Sequence, residues 1–215
     1  MQLKSLHRKA NRLQFIYGHR TLKSVYGTGC IHNANVMFVF MNPTARNISA
    51  HGAWKGIRAP WLGTKGVWQL FYQTGLLSKK HFETIQTLQP DAWSPDFAKQ
   101  IYRAIAKNKV FITNLAKCTQ KDARMLPACV FNNYMDIMRE EIVRTNPKHI
   151  ITFGNLVSSI ILGKPIAVSA YAGKQKEQLQ IGSKIFHVYP TYYPIGQGRR
   201  NMPRAIKRIL QILSR

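Results

Sequence analysis

The sequence predicts an α/β fold: a three-layer sandwich with a short, mainly parallel four-stranded sheet flanked by helices. Three observations predict it. Four short apolar or β-branched runs recur along the chain, at residues 36–41, 110–114, 149–153 and 184–189. Stretches with helical spacing of apolar residues separate them, and strands that alternate with helices form parallel sheets. The first run, Val36-Met37-Phe38-Val39-Phe40-Met41, is apolar without alternation. That is the pattern of a strand buried on both faces.

Taken in order, residues 3–15 place Leu3, Leu6, Ala10 and Leu13 at helical spacing among Lys4, Arg8, Lys9 and Arg12. A basic amphipathic helix is expected there. Gly18, Gly27 and Gly29 punctuate the connection to the first strand. That strand stops at Asn42-Pro43, because Pro43 lacks a donor and pushes Asn42 out of the helical region. Asn42 therefore stands at the carboxyl end of a buried strand, where open α/β sheets place their ligand crevice. Val67, Trp68, Leu70, Phe71 and Leu77 form the apolar face of a helix, with Gly75 near its end. Residues 78–94 are polar and read as an irregular excursion. Ser94-Pro95 starts the next helix as N-cap and first-turn proline, with Phe97, Ile101, Ala104 and Ile105 facing inward. The second strand, residues 110–114, also ends in an asparagine, Asn114. A long helix is expected over 126–145, then the third strand, then a helix opened by Gly154-Asn155 that runs to Leu162. The fourth strand, 184–189, ends at Pro190, and a basic helix capped by Asn201 closes the chain over 202–213.

With 215 residues and 45% apolar content, the chain can bury a real core, and no linker or repeat divides it, so one domain over 1–215 is expected. No apolar run approaches the ~20 residues of a membrane helix, and the basic N-terminus lacks the apolar core of a secretory signal. No membrane partner is expected. There are 32 Lys and Arg against 8 Asp and Glu, a formal net charge of +24. Such self-repulsion calls for a polyanionic partner, and nucleic acid is the leading candidate. Three cysteines, Cys30, Cys118 and Cys129, are too few for a disulfide scaffold. An intracellular, reducing setting is expected.

Three ordered stretches resemble the uracil-DNA glycosylase superfamily. Phe40-Met41-Asn42-Pro43-Thr44, followed by Ala59-Pro60-Trp61, is similar to the Gly-Met-Asn-Pro-Gly and later Pro-Phe of its single-strand-selective and mismatch-specific branches. Residues 110–118, Val-Phe-Ile-Thr-Asn-Leu-Ala-Lys-Cys, resemble the Thr-Asn-Val-Val-Lys-Cys segment of the iron–sulfur (family four) branch. Tyr189-Pro190-Thr191-Tyr192-Tyr193-Pro194-Ile195 stands where that branch has Pro-Thr-Tyr-His-Pro-Ser. Residues 149–163 are similar to the family's strand, glycine and helix ending in Leu-Gly. The order holds over roughly residues 20–210. The chain departs from the pattern at Phe40 and Thr44 in place of glycine, at Tyr193 in place of histidine and at Ile195 in place of serine. Two of the four cluster cysteines have no counterpart, and a cubane cluster wants four thiolates. No cluster and no other cofactor or metal is expected. Cys118 and Cys129 are read as packing positions, with a site completed by His7 or His19 as the alternative.

The resemblance implies hydrolysis of the bond between C1′ and the nitrogen of uracil or a related deaminated base in DNA. The nucleotide is flipped out of the stack to reach the site. Asn42 would orient the water, Trp61 stack on the base beside Met41, Asn114 read the base edge and Tyr193 donate to the leaving base. The alternatives for Asn42 and Asn114 are strand-end capping, and for Trp61 a place in the core. Ile195 and Gln197 would fill the vacated stack, with Arg199 and Arg200 on phosphates. Lys55, Arg58, Lys65, Lys117, Lys121 and Arg124 are further candidate phosphate contacts. A monomer acting on single- or double-stranded DNA is expected. The rival readings are a binder of nucleic acid on the same fold without excision, and an enzyme of small phosphate ligands. The second lacks a glycine-rich loop after the first strand.

Overall fold

Strand β2 (Val36–Phe40) is buried along its whole length because helices cover both faces of the sheet around it. In the computed structural model, which describes residues 3–214 apart from the side chains of Leu3, Lys4 and Gln197, the sheet also holds β1 (Thr28–Gly29), β3 (Val110–Asn114), β4 (His149–Phe153), β5 (Glu177–Ile181) and β6 (Lys184–Thr191). The strand order is β1-β3-β2-β4-β6-β5. The inner four are parallel, with Phe40 opposite Asn114, Val39 opposite Thr152 and Phe153 opposite Thr191.

The pleat divides the core. Val36, Phe38 and Phe40 face a layer made by α2 (Gly66–Gln73), α3 (Lys79–Thr87), α4 (Pro95–Lys107) and α8 (Met202–Leu213). Met37 and Val39 face the other layer, α1 (Leu3–Tyr17), α5 (Ala128–Asn132), α6 (Met135–Thr145) and α7 (Asn155–Leu162). Successive side chains of a strand point to opposite faces, so a strand between two helical layers is apolar at every position. No helix among the described residues is long and apolar enough to cross a membrane.

The four predicted strands are the four parallel ones, and two antiparallel edge strands join them. Two-residue β1 is too short to show any periodicity. Strand β5 alternates Glu177-Gln178-Leu179-Gln180-Ile181 and pairs with β6 through Gly182-Ser183, where Gly182 has φ +59°. That two-residue hairpin turn is a readable signal. Three helix expectations are corrected. Residues 79–87 form α3, capped by the Ser78 hydroxyl, instead of an irregular excursion. The expected long helix breaks at Asn133-Tyr134 into α5 and α6. Asn201 makes no side-chain cap on α8. Strand β6 also continues through Pro190 to Thr191. Its pairing with β5 ends at Val188, so Pro190 lies where one side of the strand has no partner and a proline is tolerated.

Chain direction reverses at the middle of the sheet. From β2 the chain passes to β3 on one side, through α2, α3 and α4 on one face. From β4 it passes to β6 on the other side, through α7 on the opposite face. The carboxyl ends of β2 and β4 therefore diverge, and a crevice opens between the loops that follow them.

Candidate functional site

Asn42 lies two residues past the end of β2, at that crevice, and is 7% exposed. Its Nδ2 donates to the carbonyl of Pro43 at 3.1 Å, which fixes the amide's orientation. Its Oδ1 is buried and has no hydrogen-bond partner among the described residues. A buried acceptor left unpaired costs ~1–3 kcal/mol and asks for a functional reason. Strand-end capping uses the amide nitrogen and leaves the oxygen over.

Phe40, the last residue of β2, gathers the aromatic wall. The Trp61 ring meets it edge-on with centroids 4.8 Å apart, and the Tyr193 ring does so at 6.4 Å. Phe153 from the end of β4 stacks beneath it at 4.5 Å. Trp61 is half-buried, its Nε1 buried without a partner among the described residues. Its backbone is left-handed, at φ +66°, a conformation a large side chain adopts only when its surroundings impose it. The surroundings here are bonds to the Trp61 carbonyl from Thr64 Oγ1 at 2.7 Å and Trp68 Nε1 at 3.3 Å.

Asn114 ends β3 opposite Phe40 and is 2% exposed. Val110 and Ile112 face the same layer as Phe40, so by alternation Asn114 does too. The crevice loops are stitched together. Leu115 N–H donates to the Phe40 carbonyl at 2.7 Å and Ala116 N–H to Met41 at 3.0 Å, while Gln120 N–H donates to Pro43 at 3.0 Å. Met41 is half-buried and packs in the layer of α1, α5, α6 and α7, away from the Trp61 side.

Tyr193 follows the end of β6. Burial pushes its hydroxyl up to about 12. Two glycines give it room. A Cβ on Gly154 (φ +85°) would stand 3.6 Å from the Tyr193 Cβ, and one on Gly198 would stand 2.1 Å from the Tyr193 carbonyl oxygen. Gly198 is therefore required by the close approach of its turn, residues 196–201, to Tyr193. Ile195 is half-buried, with its Cδ1 3.8 Å from a Cβ built on Gly66 at the start of α2. Arg199 and Arg200 are exposed on the turn; Gln197 shares it, with its side chain outside the described residues.

Among the cations, Lys55, Lys121 and Arg124 are exposed, Arg124 being paired with Asp122 at 2.9 Å. Arg58 is partly spent on the Ser49 carbonyl at 2.7 Å and Lys65 on the Gln86 carbonyl at 2.6 Å. Lys117 corrects the sequence reading. It is 1% exposed, and its Nζ sits 2.7 Å from Glu141 and 2.7 Å from Thr113 Oγ1 and also donates to the Asn114 carbonyl. Burial lowers its pKa, and the Glu141 carboxylate opposes that shift. A side chain so enclosed reaches no phosphate; it ties the Asn114 turn to α6. Cys118 is buried and Cys129 exposed, and no cluster of three metal-ligating side chains occurs among the described residues.

The structure thus brings Asn42, Trp61, Asn114 and Tyr193 to one edge of the sheet and removes Lys117 from it. Sequence reasoning missed Phe40 as the residue that joins them. The signal was a bulky ring where the motif expects glycine. Two hollows lie elsewhere: about 720 Å³ between α2 and α8, and about 600 Å³ at the opposite edge of the sheet beside Lys109 and Lys148. The family model for the uracil DNA glycosylase superfamily matches residues 26–214. No curated protein matches the chain.

Proposed function

The chain belongs to the uracil-DNA glycosylase superfamily, and on that premise we propose that it excises uracil or a related deaminated base from DNA. The observation that carries the reading is the buried, unpartnered Oδ1 of Asn42 at the mouth of the crevice. An amide oxygen accepts a hydrogen bond from a water and aims it without being a strong base. The sugar develops positive charge as the base departs, so a weakly activated water suffices. Water oxygen bonds to C1′ as the C1′–N bond breaks, the bonding pair leaves with the base, the proton the water gives up ends on the base nitrogen through solvent, and the products are a free base and an abasic site.

The other roles follow from the wall. Trp61 stacks on the flipped base, an interaction worth ~1–3 kcal/mol. The Asn114 amide offers one donor and one acceptor, which matches the O4 and N3–H of uracil and mismatches cytosine. The Tyr193 hydroxyl donates to the departing base; being neutral, it stabilises developing negative charge less than a cationic donor does. Ile195 and Gln197 occupy the vacated stack, and Lys55, Lys121, Arg199 and Arg200 hold phosphates. The chain works in this reading as a single domain and a monomer. The unusual tyrosine favours the alternative, a binder on the same fold without catalysis.

An excision assay separates the two. Oligonucleotides carrying one uracil, hypoxanthine or xanthine, single- and double-stranded, are incubated with protein and cleaved with alkali. Cleavage at one base is expected, reduced by roughly 100- to 1,000-fold in Asn42→Ala, the size of loss seen when a positioned catalytic group is removed. No product on any base, alongside retained DNA binding, assigns the chain to the non-catalytic reading.

A further inference from the structure

The last turn of helix α1 carries an aromatic side chain that the described residues leave open to solvent. Phe15 is 91% exposed and its neighbour Ile16 63%. A single exposed apolar residue needs no explanation, but this one has company and a setting. Met125, 72% exposed, lies on the segment between Gln120 and α5. Gln120 at the start of that segment and Asn133 at the far end of α5 are both tied to the end of α1: Gln120 Nε2 donates to the Tyr17 carbonyl at 2.7 Å, and Asn133 Nδ2 donates to the Tyr17 hydroxyl at 2.8 Å.

The same contacts lead to the crevice. Gln120 N–H donates to the Pro43 carbonyl at 3.0 Å and its carbonyl accepts from Ala45 N–H at 2.8 Å. The Asn42 loop, Gln120 and the end of α1 are one hydrogen-bonded run at the carboxyl edge of the sheet.

The setting is cationic. Helix α1, Leu-Lys-Ser-Leu-His-Arg-Lys-Ala-Asn-Arg-Leu-Gln-Phe-Ile-Tyr, contains no acidic residue. Arg8 and Arg12 are exposed and stand on the Phe15 stripe by helical spacing, one turn or about 6 Å apart along the axis. Arg20, three residues past the end of α1, and Lys121, next in the chain to the Gln120 bonded to the Tyr17 carbonyl, are also exposed. A flat apolar ring at the end of a ladder of cations is the chemistry of single-strand binding, in which cations follow the phosphates and the ring stacks on any base.

We propose that the end of α1 is a stacking platform for unpaired DNA flanking the target nucleotide, with Phe15 stacking on a base and Arg8 and Arg12 on the phosphates beside it. This rests on the reading of the crevice as facing DNA. It gives the enzyme a preference for single strands, since paired bases present no free face to the ring. The strand continues from the crevice past Gln120 onto α1.

The test measures binding of the full chain to a labelled oligothymidylate, which carries no excisable base, and to the matching duplex. Phe15→Ala is expected to weaken single-strand binding by roughly 5- to 100-fold, the loss of one stacked base, and to leave duplex affinity unchanged. Phe15→Trp is expected to keep wild-type affinity. Because Phe15 is 91% exposed, both variants are expected to retain the fold, checked by their melting temperatures. Unchanged single-strand binding in Phe15→Ala, or an equal loss on duplex, overturns the proposal. So does Phe15-dependent binding to phosphatidylglycerol vesicles in place of oligothymidylate, which would make the patch a membrane contact. Phe15-dependent single-strand binding without excision of any base supports the platform and sinks only the excision reading.

Discussion

At Asn42 the two atoms of one amide have different fates. The nitrogen satisfies the chain, and the oxygen is left buried and unsatisfied. Tyr193 poses the complementary question of what a phenol does where the motif it resembles has an imidazole. Its hydroxyl is raised to about 12 by burial, so it keeps its proton through the neutral and mildly alkaline range. The wild-type rate should therefore show no alkaline limb from this group between pH 6 and 10. Tyr193→Phe removes the donor and is expected to lower kcat by about 10- to 100-fold with little change in KM, since the bond strengthens only as charge develops on the base. Tyr193→His should introduce a new limb near the ordinary histidine value of ~6.5. Equal pH–rate profiles for the two variants would show that the position does not touch the departing base. Asn42 and Asn114 were legible because each polar residue closes an apolar run. Lys117 was misread because a lysine beside Asn-Leu-Ala carries no local mark of its burial.

Between elements, the buried Lys117–Glu141 pair joins the turn after β3 to α6, at 2.7 Å and with both groups below a tenth exposed. Removing one partner strands the other charge. Lys117→Met is expected to cost ~3–5 kcal/mol, whereas Lys117→Met with Glu141→Leu returns to within ~1 kcal/mol of the wild type. Urea midpoints for the two variants check this, and equal destabilisation would mean that the pair acts through packing alone. The elements differ in how much of them could be read. The parallel strands were legible because burial on both faces writes an unbroken apolar run. The Ser78 cap of α3 and the Gly182-Ser183 turn of β5 were legible in principle, as a hydroxyl three residues before a free N–H and as a two-residue hairpin. They lay in stretches too polar to suggest buried structure. The break at Asn133-Tyr134 had no such signal, because apolar spacing continues across it.

For the molecule as a whole, charge sets how the partner is held. With a net charge of +24 and only 8 acidic residues, DNA affinity should fall steeply with salt. Phosphate contacts at exposed Lys55, Lys121, Arg199 and Arg200, together with Arg8 and Arg12 on α1, correspond to a slope of log affinity against log salt of about −4 on single strands. A titration from low to physiological salt measures it, and a flat response would point to a small ligand instead of a polymer. The sequence by itself determined the fold class, the existence and order of the four parallel strands, the family and the sign of the partner's charge. Each of these is written in local pattern, composition or ordered motif. Only the tertiary structure decided that Phe40 gathers Trp61 and Tyr193, that the crevice opens between β2 and β4, that Lys117 lies inside and that Phe15 lies outside. Those outcomes depend on which distant segments pack against a side chain, and solvent exposure belongs to the assembled layers, not to any stretch of sequence.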